Sequence, residues 1–317
     1  MGEALALAER GRGQTAPNPN VGCVIVAADG RVVGRGWTQP GGRPHAEAMA
    51  LAEAGEAARD ATLYVTLEPC AHVSPRGPAC ADLIVNAQPA RVVVALTDPD
   101  PRTNGQGIAR LRDAGIVVRE GVCTAEARRS MAGFLTRLSL GRPHVTLKLA
   151  TSLDGRIALP SGESRWITGP EARADVHRER ARHEAILVGR GTYDADAPRL
   201  DVRLSGLEHL SPRRLLLTRG PAPEGWEALH DLADLGALDG VDHLLVEGGA
   251  GAAAAFLAAD LVDRLLFYRA PILIGAGKSA VGDIGLTSLE AAHGRWKLHE
   301  SRSLGSDRLE VYERERD

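Results

Sequence analysis

The sequence predicts an α/β protein of two domains, and three observations lead to that prediction. Short apolar or β-branched runs alternate with helical patterns along the chain, which is typical of sheets covered by helices. The length of 317 residues suits two ordinary domains. A break at "LSLGRP" (138–143) is followed by a new series of strand-like runs, so the predicted domains are residues 1–143 and 144–317.

The predicted strands are short apolar or β-branched runs bounded by Gly, Pro, Asp or polar residues. In the first domain they are "VGCVIVA" (21–27), "RVVGRGW" (31–37), "ATLYVTL" (61–67) and "ARVVVAL" (90–96). The helical patterns there cover residues 45–58, 79–87, 104–114 and 125–140. In the second domain the predicted strands are residues 144–150, 185–189, 214–218, 243–249 and 263–273.

Composition and charge narrow the class of function. An apolar fraction of 44% is typical of a globular protein. The formal charge is −3 and no block of lysine or arginine occurs, so the sequence does not predict a basic surface that would bind nucleic acid. No run of eighteen apolar residues occurs and the N-terminus lacks a signal-peptide pattern, so we expect a cytosolic protein that is not bound to a membrane. Cysteines in such a protein are expected to be free thiols or metal ligands: Cys23, Cys70, Cys80 and Cys123. Chemistry on a small molecule is therefore the favoured function.

His45 and Glu47 lie two residues apart at the start of the alanine-rich run "RPHAEAMALAEAG" (43–55). Positions i and i+2 do not share a helix face, so an ordinary contact between these side chains is not expected. At a helix start, however, both side chains can reach one point beyond its end.

Two cysteines in "TLEPCAHVSPRGPACADLI" (66–84) complete a possible metal site with His45. Cys70 follows a predicted strand and Cys80 opens a predicted helix. One histidine and two cysteines are a common set of zinc ligands. Three protein ligands leave the fourth coordination position of zinc to water, which is typical of a catalytic site. Together with a glutamate two residues after the histidine, this pattern matches the signature of zinc deaminases.

Two other interpretations stay open at this point. A closed, structural zinc site in a binding protein would need a fourth ligand, for which His72 is the candidate nearby. A nucleoside or nucleic-acid deaminase with an unrelated second half is the other alternative. The negative net charge and the aromatic content of 3% count against this alternative, because base recognition favours aromatic and cationic side chains.

The chain resembles the bifunctional riboflavin-biosynthesis deaminase/reductases over its whole length. The motifs that carry the resemblance are "NPNVG" (18–22), "HAE" (45–47), "TLEPC" (66–70) and Cys80, then "SLDGRIA" (152–158), "GESRWIT" (162–168), "VGRGTYDADAPRLDVR" (188–203) and "VEGG" (246–249). Their order and spacing together are specific. The resemblance implies a cytidine-deaminase-like three-layer α/β domain followed by a dihydrofolate-reductase-like α/β domain.

For the first domain, the resemblance implies hydrolytic deamination of 2,5-diamino-6-(5-phosphoribosylamino)pyrimidin-4(3H)-one. One zinc ion per chain would be held by His45, Cys70 and Cys80, and Glu47 would be the general acid/base. Asn18 would bind the pyrimidinone ring and Arg76 the substrate phosphate.

The sequence departs from the family pattern at three places. Nine residues separate Cys70 from Cys80, one more than the pattern has, and Thr38 stands where a histidine is expected. Because loops absorb insertions readily, metal binding is expected to persist. In the second domain, Arg219 stands where the family tends to have a serine, near the expected adenosine end of the cofactor.

For the second domain, the resemblance implies reduction of the ribosyl side chain to ribityl with NADPH. "VEGGAGAAAAF" (246–256) places glycines between a strand and a helix, where backbone N–H groups can approach a pyrophosphate. The implied cofactor-binding residues are Ala150, Trp166, Thr192, Asp196, Gly248, Gly249, Ala250, Gly251 and Ala252. The implied substrate-binding residues are Ser164, Arg180, Leu200, Arg203 and Glu247, of which the arginines suit a phosphate. The resemblance also implies a homo-oligomer that pairs through the reductase domains.

Overall fold

The computed structural model describes residues 1–72 and 74–316. Val73, in the segment between Cys70 and Cys80, and Asp317, the last residue of the predicted second domain, lie outside the described residues. The chain forms two compact units, Met1–Gly141 and Arg142–Asp317. Within the described ranges, no helix has the length and apolarity needed to cross a bilayer.

The first unit is built on a mixed five-stranded sheet with the order β2-β1-β3-β4-β5. Its strands are β1 (Gly22–Val26), β2 (Val32–Trp37), β3 (Thr62–Val65), β4 (Arg91–Val94) and β5 (Val117–Arg119). Its helices are α1 (Gly2–Ala8), α2 (Ala46–Ala54), α3 (Cys80–Ala87), α4 (Gln106–Asp113), α5 (Thr124–Ser130) and α6 (Ala132–Leu140). Strand β1 runs antiparallel to β2 and β3, whereas β3, β4 and β5 are parallel. The loops after β3 and β4 therefore leave the sheet at the same edge.

Strand β1 separates two hydrophobic clusters because its side chains alternate between the two faces of the sheet. Cys23 and Ile25 pack in the cluster that includes Ala46 and Ala50 of α2, and Val24 packs with Ala4 of α1. Helices thus cover both faces of the sheet.

Glycines bring α2 close to β2 and so fix where this helix begins. A Cβ atom on Gly36 would lie 2.1 Å from the carbonyl oxygen of Ala46, and one on Gly34 would lie 2.2 Å from that of Ala50. Any side chain at these two positions would force the helix away from the sheet. The close approach holds the start of α2, with His45 before it and Glu47 in its first turn, against the sheet.

The second unit contains an eight-stranded sheet with the order β10-β9-β8-β11-β6-β12-β15-β14 and a two-stranded sheet of β13 and β7. Its strands are β6 (His144–Thr151), β7 (Arg156–Ala158), β8 (Ala185–Gly189), β9 (Arg213–Leu217), β10 (Glu227–Leu229), β11 (His243–Val246), β12 (Arg264–Arg269), β13 (Lys278–Ser279), β14 (Trp296–Leu304) and β15 (Asp307–Arg314). Its helices are α7 (Pro170–Arg180), α8 (Arg190–Asp196) and α9 (Ala250–Ala258). The strands from β10 to β12 in the sheet are parallel, and β15 is antiparallel to both of its neighbours. Ligands of such open sheets bind beyond the carboxyl ends of the parallel strands.

Each run predicted as a strand overlaps a strand of the structure. The predicted helix over residues 125–140 is wrong as one continuous element. The backbone of Met131 leaves the helical region, with φ −101° and ψ 22°, and separates α5 from α6. Met131 is fully buried in the same cluster as Ala127 and Phe134. The change of direction therefore lets side chains from both helices reach one core.

The helix predicted over residues 45–58 is shorter than predicted. It ends at Ala54, and a 3₁₀ turn follows it.

Candidate functional site

The first candidate site lies where α2 begins, beyond the end of β3. His45 precedes α2 with an extended backbone (φ −72°, ψ 161°) and makes no side-chain capping bond, which leaves its ring available to other partners. Cys70 follows β3 in a loop, and Cys80 is the first residue of α3. Glu47, in the first turn of α2, is 3% exposed. Side chains from three separate segments of the chain thus converge.

The three predicted metal ligands have a geometry that suits zinc. The Sγ atoms of Cys70 and Cys80 lie 3.6 Å and 3.3 Å from His45 Nδ1, and the three ligand atoms all lie within 4.8 Å of one another. A tetrahedral zinc ion with its usual bond lengths separates sulfur and nitrogen ligands by about 3.5 Å. The donor set therefore fits zinc with a fourth position open.

The alternative of a closed site with His72 as fourth ligand is not supported. Among the residues that the structure describes, the metal-binding group contains three members, and His72 is not one of them. The Nδ1 atom of His72 instead lies 3.4 Å from the Thr103 hydroxyl.

The pKa values of the Cys70 and Cys80 thiols and of the Glu47 carboxyl group all differ strongly from their ordinary values. A hydrogen bond from Cys80 lowers the pKa of Cys70 to about 4, and the same contact together with burial raises the pKa of Cys80. The backbone N–H of Cys80 also donates to Cys70 Sγ at 3.3 Å, which further favours a thiolate there. Burial raises the pKa of Glu47 to about 7, although the nearby His45 opposes this shift. A carboxyl group that titrates near neutrality can both accept and release a proton.

Asn18 and Arg76, the two predicted substrate contacts, line one cleft of about 240 Å³ with His45 and Glu47. The Nδ2 atom of Asn18 donates to the Gly42 carbonyl oxygen at 2.8 Å and lies 3.2 Å from His45 Nε2. Asn18 thus also contacts a predicted metal ligand. Arg76 is exposed at the cleft, where its Nη2 donates to the Gly41 carbonyl oxygen at 2.7 Å.

Thr38, which replaces the expected histidine, is buried beside the same cleft. Its Oγ1 accepts a hydrogen bond of 3.0 Å from the backbone N–H of Val21, so it has a structural partner. Sequence reasoning missed several other residues that line this cleft: Arg43, Asp98, Asp100 and Arg102. The charged run after β4, which holds Asp98, Asp100 and Arg102, could have predicted three of them. The loops after adjacent parallel strands meet at one edge of a sheet, so this run is expected near Cys70 in the loop after β3.

The second candidate site is a cleft of about 780 Å³ in the second unit, at the carboxyl ends of β6, β8 and β11. It brings together every residue predicted for the cofactor and substrate of this domain. These are Ala150, Ser164, Trp166, Arg180, Thr192, Asp196, Leu200, Arg203, Glu247, Gly248, Gly249, Ala250, Gly251 and Ala252. Sequence reasoning missed other residues of its lining, among them Lys148, Arg173, His177 and Lys278.

A buried ion cluster forms part of the lining of this second cleft. Arg180 donates to Glu247 through Nε at 2.7 Å and Nη2 at 3.0 Å, and Lys148 Nζ lies 3.6 Å from the same carboxylate. Burial alone would raise the pKa of Glu247, but Arg180 and Lys148 outweigh it and the pKa falls to about 2. Glu247 is therefore ionised at neutral pH. Arg180, which the family resemblance assigns to the substrate, also donates to the Asp201 carbonyl oxygen at 3.0 Å.

The glycines between β11 and α9 form a cradle that side chains would fill. A Cβ atom on Gly248 would lie 2.5 Å from that of Ala252, and one on Gly249 would lie 3.0 Å from the Thr192 hydroxyl. The Gly249 N–H donates to that hydroxyl at 2.9 Å. At the start of α9, which follows, the first backbone N–H groups have no partner within the helix. Such a helix start suits the pyrophosphate of a dinucleotide.

The other predicted residues of this cleft differ widely in exposure. Leu200 is buried, 4% exposed, in the cluster that contains Ile186 and Val188, although its φ of +55° is unusual for a leucine. Trp166 is 65% exposed, with the Arg173 guanidinium 4.9 Å from its ring centre. An exposed aromatic ring beside a cleft is free to stack on a ligand.

Comparisons with known proteins cover both units. The model of the cytidine and deoxycytidylate deaminase zinc-binding region matches residues 1–96, and the model of the RibD C-terminal domain matches residues 143–224 and 226–309. The chain is 40% identical to the riboflavin biosynthesis protein RibD of Escherichia coli, over 97% of this chain and 96% of that protein.

Two solved structures extend this similarity to the fold. A structure of Acinetobacter baumannii RibD is 38% identical, with a TM-score of 0.88, and the match covers 99% of this chain and 98% of that one. A diaminohydroxyphosphoribosylaminopyrimidine deaminase/5-amino-6-(5-phosphoribosylamino)uracil reductase from Thermotoga maritima is 32% identical, with a TM-score of 0.86, over 99% and 97% of the two chains. The predicted fold class, a cytidine-deaminase-like domain followed by a dihydrofolate-reductase-like domain, is confirmed.

Proposed function

The chain belongs to the riboflavin biosynthesis protein RibD family, and on that basis we propose which of its residues perform the two reactions. It is a bifunctional zinc- and NADPH-dependent enzyme that first deaminates 2,5-diamino-6-(5-phosphoribosylamino)pyrimidin-4(3H)-one. It then reduces the ribosyl side chain of the resulting 5-amino-6-(5-phosphoribosylamino)uracil to ribityl. The convergence of His45, Cys70 and Cys80 beside the buried Glu47 is the observation that carries the proposal for the first site.

In the deaminase site, His45, Cys70 and Cys80 would hold zinc, which when bound would make a water molecule nucleophilic near neutral pH. The Glu47 carboxylate would take up a proton from the attacking water and deliver protons to the ring nitrogen and to the departing ammonia. A C–O bond forms at the ring carbon as its C–N bond breaks, so the exocyclic amine leaves as ammonia. Asn18 orients the pyrimidinone ring, and the Arg76 guanidinium binds the substrate phosphate.

In the reductase site, NADPH would supply the hydride when bound, and the chain's residues would position the two reactants. The glycine cradle at residues 248–252 would bind the pyrophosphate through backbone N–H groups, and Ala150, Trp166, Thr192 and Asp196 would contact the rest of the cofactor. Ser164, Leu200 and Arg203 hold the substrate. Arg180 and Lys148 keep Glu247 ionised and fixed, so that its carboxylate can accept hydrogen bonds from the sugar hydroxyls.

We propose that the enzyme works in the cytosol as a homo-oligomer that pairs through its reductase units. A reducing compartment keeps the thiols of Cys70 and Cys80 free for metal. In the second unit, β14 is an edge strand whose Leu298 is 52% exposed, and Leu289 nearby in sequence is 82% exposed. An exposed strand edge with apolar side chains is a surface that a second copy can cover. The partners of the enzyme are its small-molecule substrates and cofactor, with no role for nucleic acid.

The metal assignment predicts different outcomes for different cysteines. Cys80→Ala and Cys70→Ala are expected to lose most of the zinc that the wild-type chain carries at one ion per protomer, because each change removes one of three protein ligands. Metal analysis of the purified variants measures this. Cys123→Ala is the matched control, since Cys123 is exposed and lies outside the cluster. Full zinc content in both Cys70→Ala and Cys80→Ala would contradict the assignment.

Product analysis tests the two-step function. The purified enzyme is incubated with the diaminopyrimidinone ribosyl phosphate with and without NADPH, and the products are identified by mass spectrometry. Without NADPH we expect only the deaminated ribosyl compound, and with NADPH the ribityl compound. Reduction without prior deamination, or no turnover under either condition, would overturn the proposed function.

A further inference from the structure

Arg43 lies at the deaminase cleft close to the segment that carries Arg76. Both arginines line the cleft, and each reaches the backbone of the other's segment. Arg76 Nη2 donates to the Gly41 carbonyl oxygen at 2.7 Å, and Arg43 Nη1 lies 3.1 Å from where a Cβ atom on Gly77 would stand. Two guanidinium groups separated by more than thirty positions in sequence therefore face one cleft.

Among the residues that the structure describes, none is an anionic partner of the Arg43 guanidinium. Within residues 1–72 and 74–316, no carboxylate forms an ion pair with Arg43 or Arg76, and no acceptor is hydrogen-bonded to the Arg43 side chain. Arg43 is nevertheless half-buried. Because partial burial of an unpaired cation is unfavourable, an anionic ligand at this position would be stabilising.

The carboxylates that line the same cleft already have other partners. Glu68 accepts backbone N–H bonds from Asp98, Gly105, Gly107 and Ile108. Asp100 forms an ion pair of 2.6 Å with Arg102, and Asp98 accepts from the Asp100 backbone at 2.9 Å. Glu47 lies at the zinc cluster. The guanidinium groups of Arg43 and Arg76 therefore keep N–H groups available to an anion from solution.

We propose that Arg43 acts with Arg76 to bind the phosphate of the deaminase substrate and makes this site selective for phosphorylated over phosphate-free pyrimidine ribosides. The inference rests on the proposed function, because it concerns the substrate of that same site. Guanidinium groups bind phosphate oxygens through pairs of charge-assisted hydrogen bonds, and two converging arginines can hold one phosphate from two sides.

The test compares kcat/KM for the diaminopyrimidinone ribosyl phosphate with that for its phosphate-free riboside. The wild type, Arg43→Gln, Arg43→Lys and Arg91→Gln are measured after zinc content and circular dichroism confirm that each is loaded and folded. Arg91 is the matched control, because it is exposed at the start of β4 and is not among the residues that line the cleft.

In Arg43→Gln we expect the preference for the phosphorylated substrate to fall about 10–100-fold, mainly through a higher KM, since a hydrogen-bonded ion contact is removed. Arg43→Lys keeps the positive charge but lacks the planar guanidinium group. Its preference for the phosphorylated substrate is therefore expected to lie between that of the wild type and that of Arg43→Gln. Arg91→Gln should keep the wild-type preference. An unchanged preference in Arg43→Gln, or an equal loss on both substrates, would overturn the role of Arg43 while leaving the deaminase assignment intact. Absence of deamination by the wild type would instead overturn the proposed function, and the inference with it.

Discussion

Glu47→Gln is expected to slow deamination by about 10²–10⁴-fold, the usual contribution of a general acid/base. Glutamine keeps the size of the side chain and can still accept and donate hydrogen bonds, but it cannot take up and release a proton. Because Glu47 is not one of the three predicted ligands, zinc should remain bound. The residues proposed for reduction all belong to the second unit, so reduction of supplied 5-amino-6-(5-phosphoribosylamino)uracil should continue at a near-normal rate.

The two half-reactions are measured separately in this variant after zinc analysis and circular dichroism. Glu53→Gln is the matched control, because Glu53 is an exposed glutamate on the same helix, α2. Normal deamination by Glu47→Gln would show that another group moves the proton. Loss of both activities in a folded, zinc-loaded variant would show that the two reactions do not have separate sites.

Glu247→Ala is expected to abolish most of the reduction and to let the deaminated intermediate accumulate. The carboxylate forms two hydrogen bonds with Arg180 and lies 3.6 Å from Lys148, so its removal leaves two cations in the cleft without their partner. Breaking a buried ion pair from one side typically costs about 3–5 kcal/mol of stability. Urea unfolding and the two activity assays measure these effects.

The matched control for Glu247 is Glu227→Ala. Glu227 forms an exposed ion pair of 2.7 Å with Arg213, and such surface pairs contribute only about 0–1 kcal/mol. Glu227→Ala should therefore keep both stability and reduction. If Glu247→Ala reduced the substrate as fast as Glu227→Ala, the proposed role of this carboxylate would be wrong.

Strands could be predicted from the sequence where burial leaves a continuous apolar run, and could not where it does not. "AILVG" (185–189) is such a run, and β8 has the predicted bounds. Strand β14 was missed because residues 297–301 are exposed, so no apolar pattern marks them; backbone pairing with β15 forms this strand. Helix α7 was missed because its sequence, "PEARADVHRER", is mostly charged, although it buries Ala172 and Val176.

The residues proposed for the two sites lie in motifs that the sequence displays, whereas their mutual contacts could not be predicted. Lys148 stands in the apolar strand run "HVTLKLA" (144–150), where a lysine is expected to face solvent. Only the approach of β11 beside β6 brings it to Glu247. The approach of Arg43 to Gly77 likewise depends on how two loops fold, which local patterns do not contain.

The central claim is that one chain carries two chemically independent sites, and mixing the two inactive variants tests it most directly. Glu47→Gln and Glu247→Ala are incubated, separately and in equal amounts together, with the diaminopyrimidinone ribosyl phosphate and NADPH. Each variant alone should fail to make the ribityl product. The mixture should make it, because the deaminated compound formed by Glu247→Ala can diffuse to the intact reductase site of Glu47→Gln. A mixture that deaminates the substrate but forms no ribityl product, with both variants folded and zinc-loaded, would contradict the account.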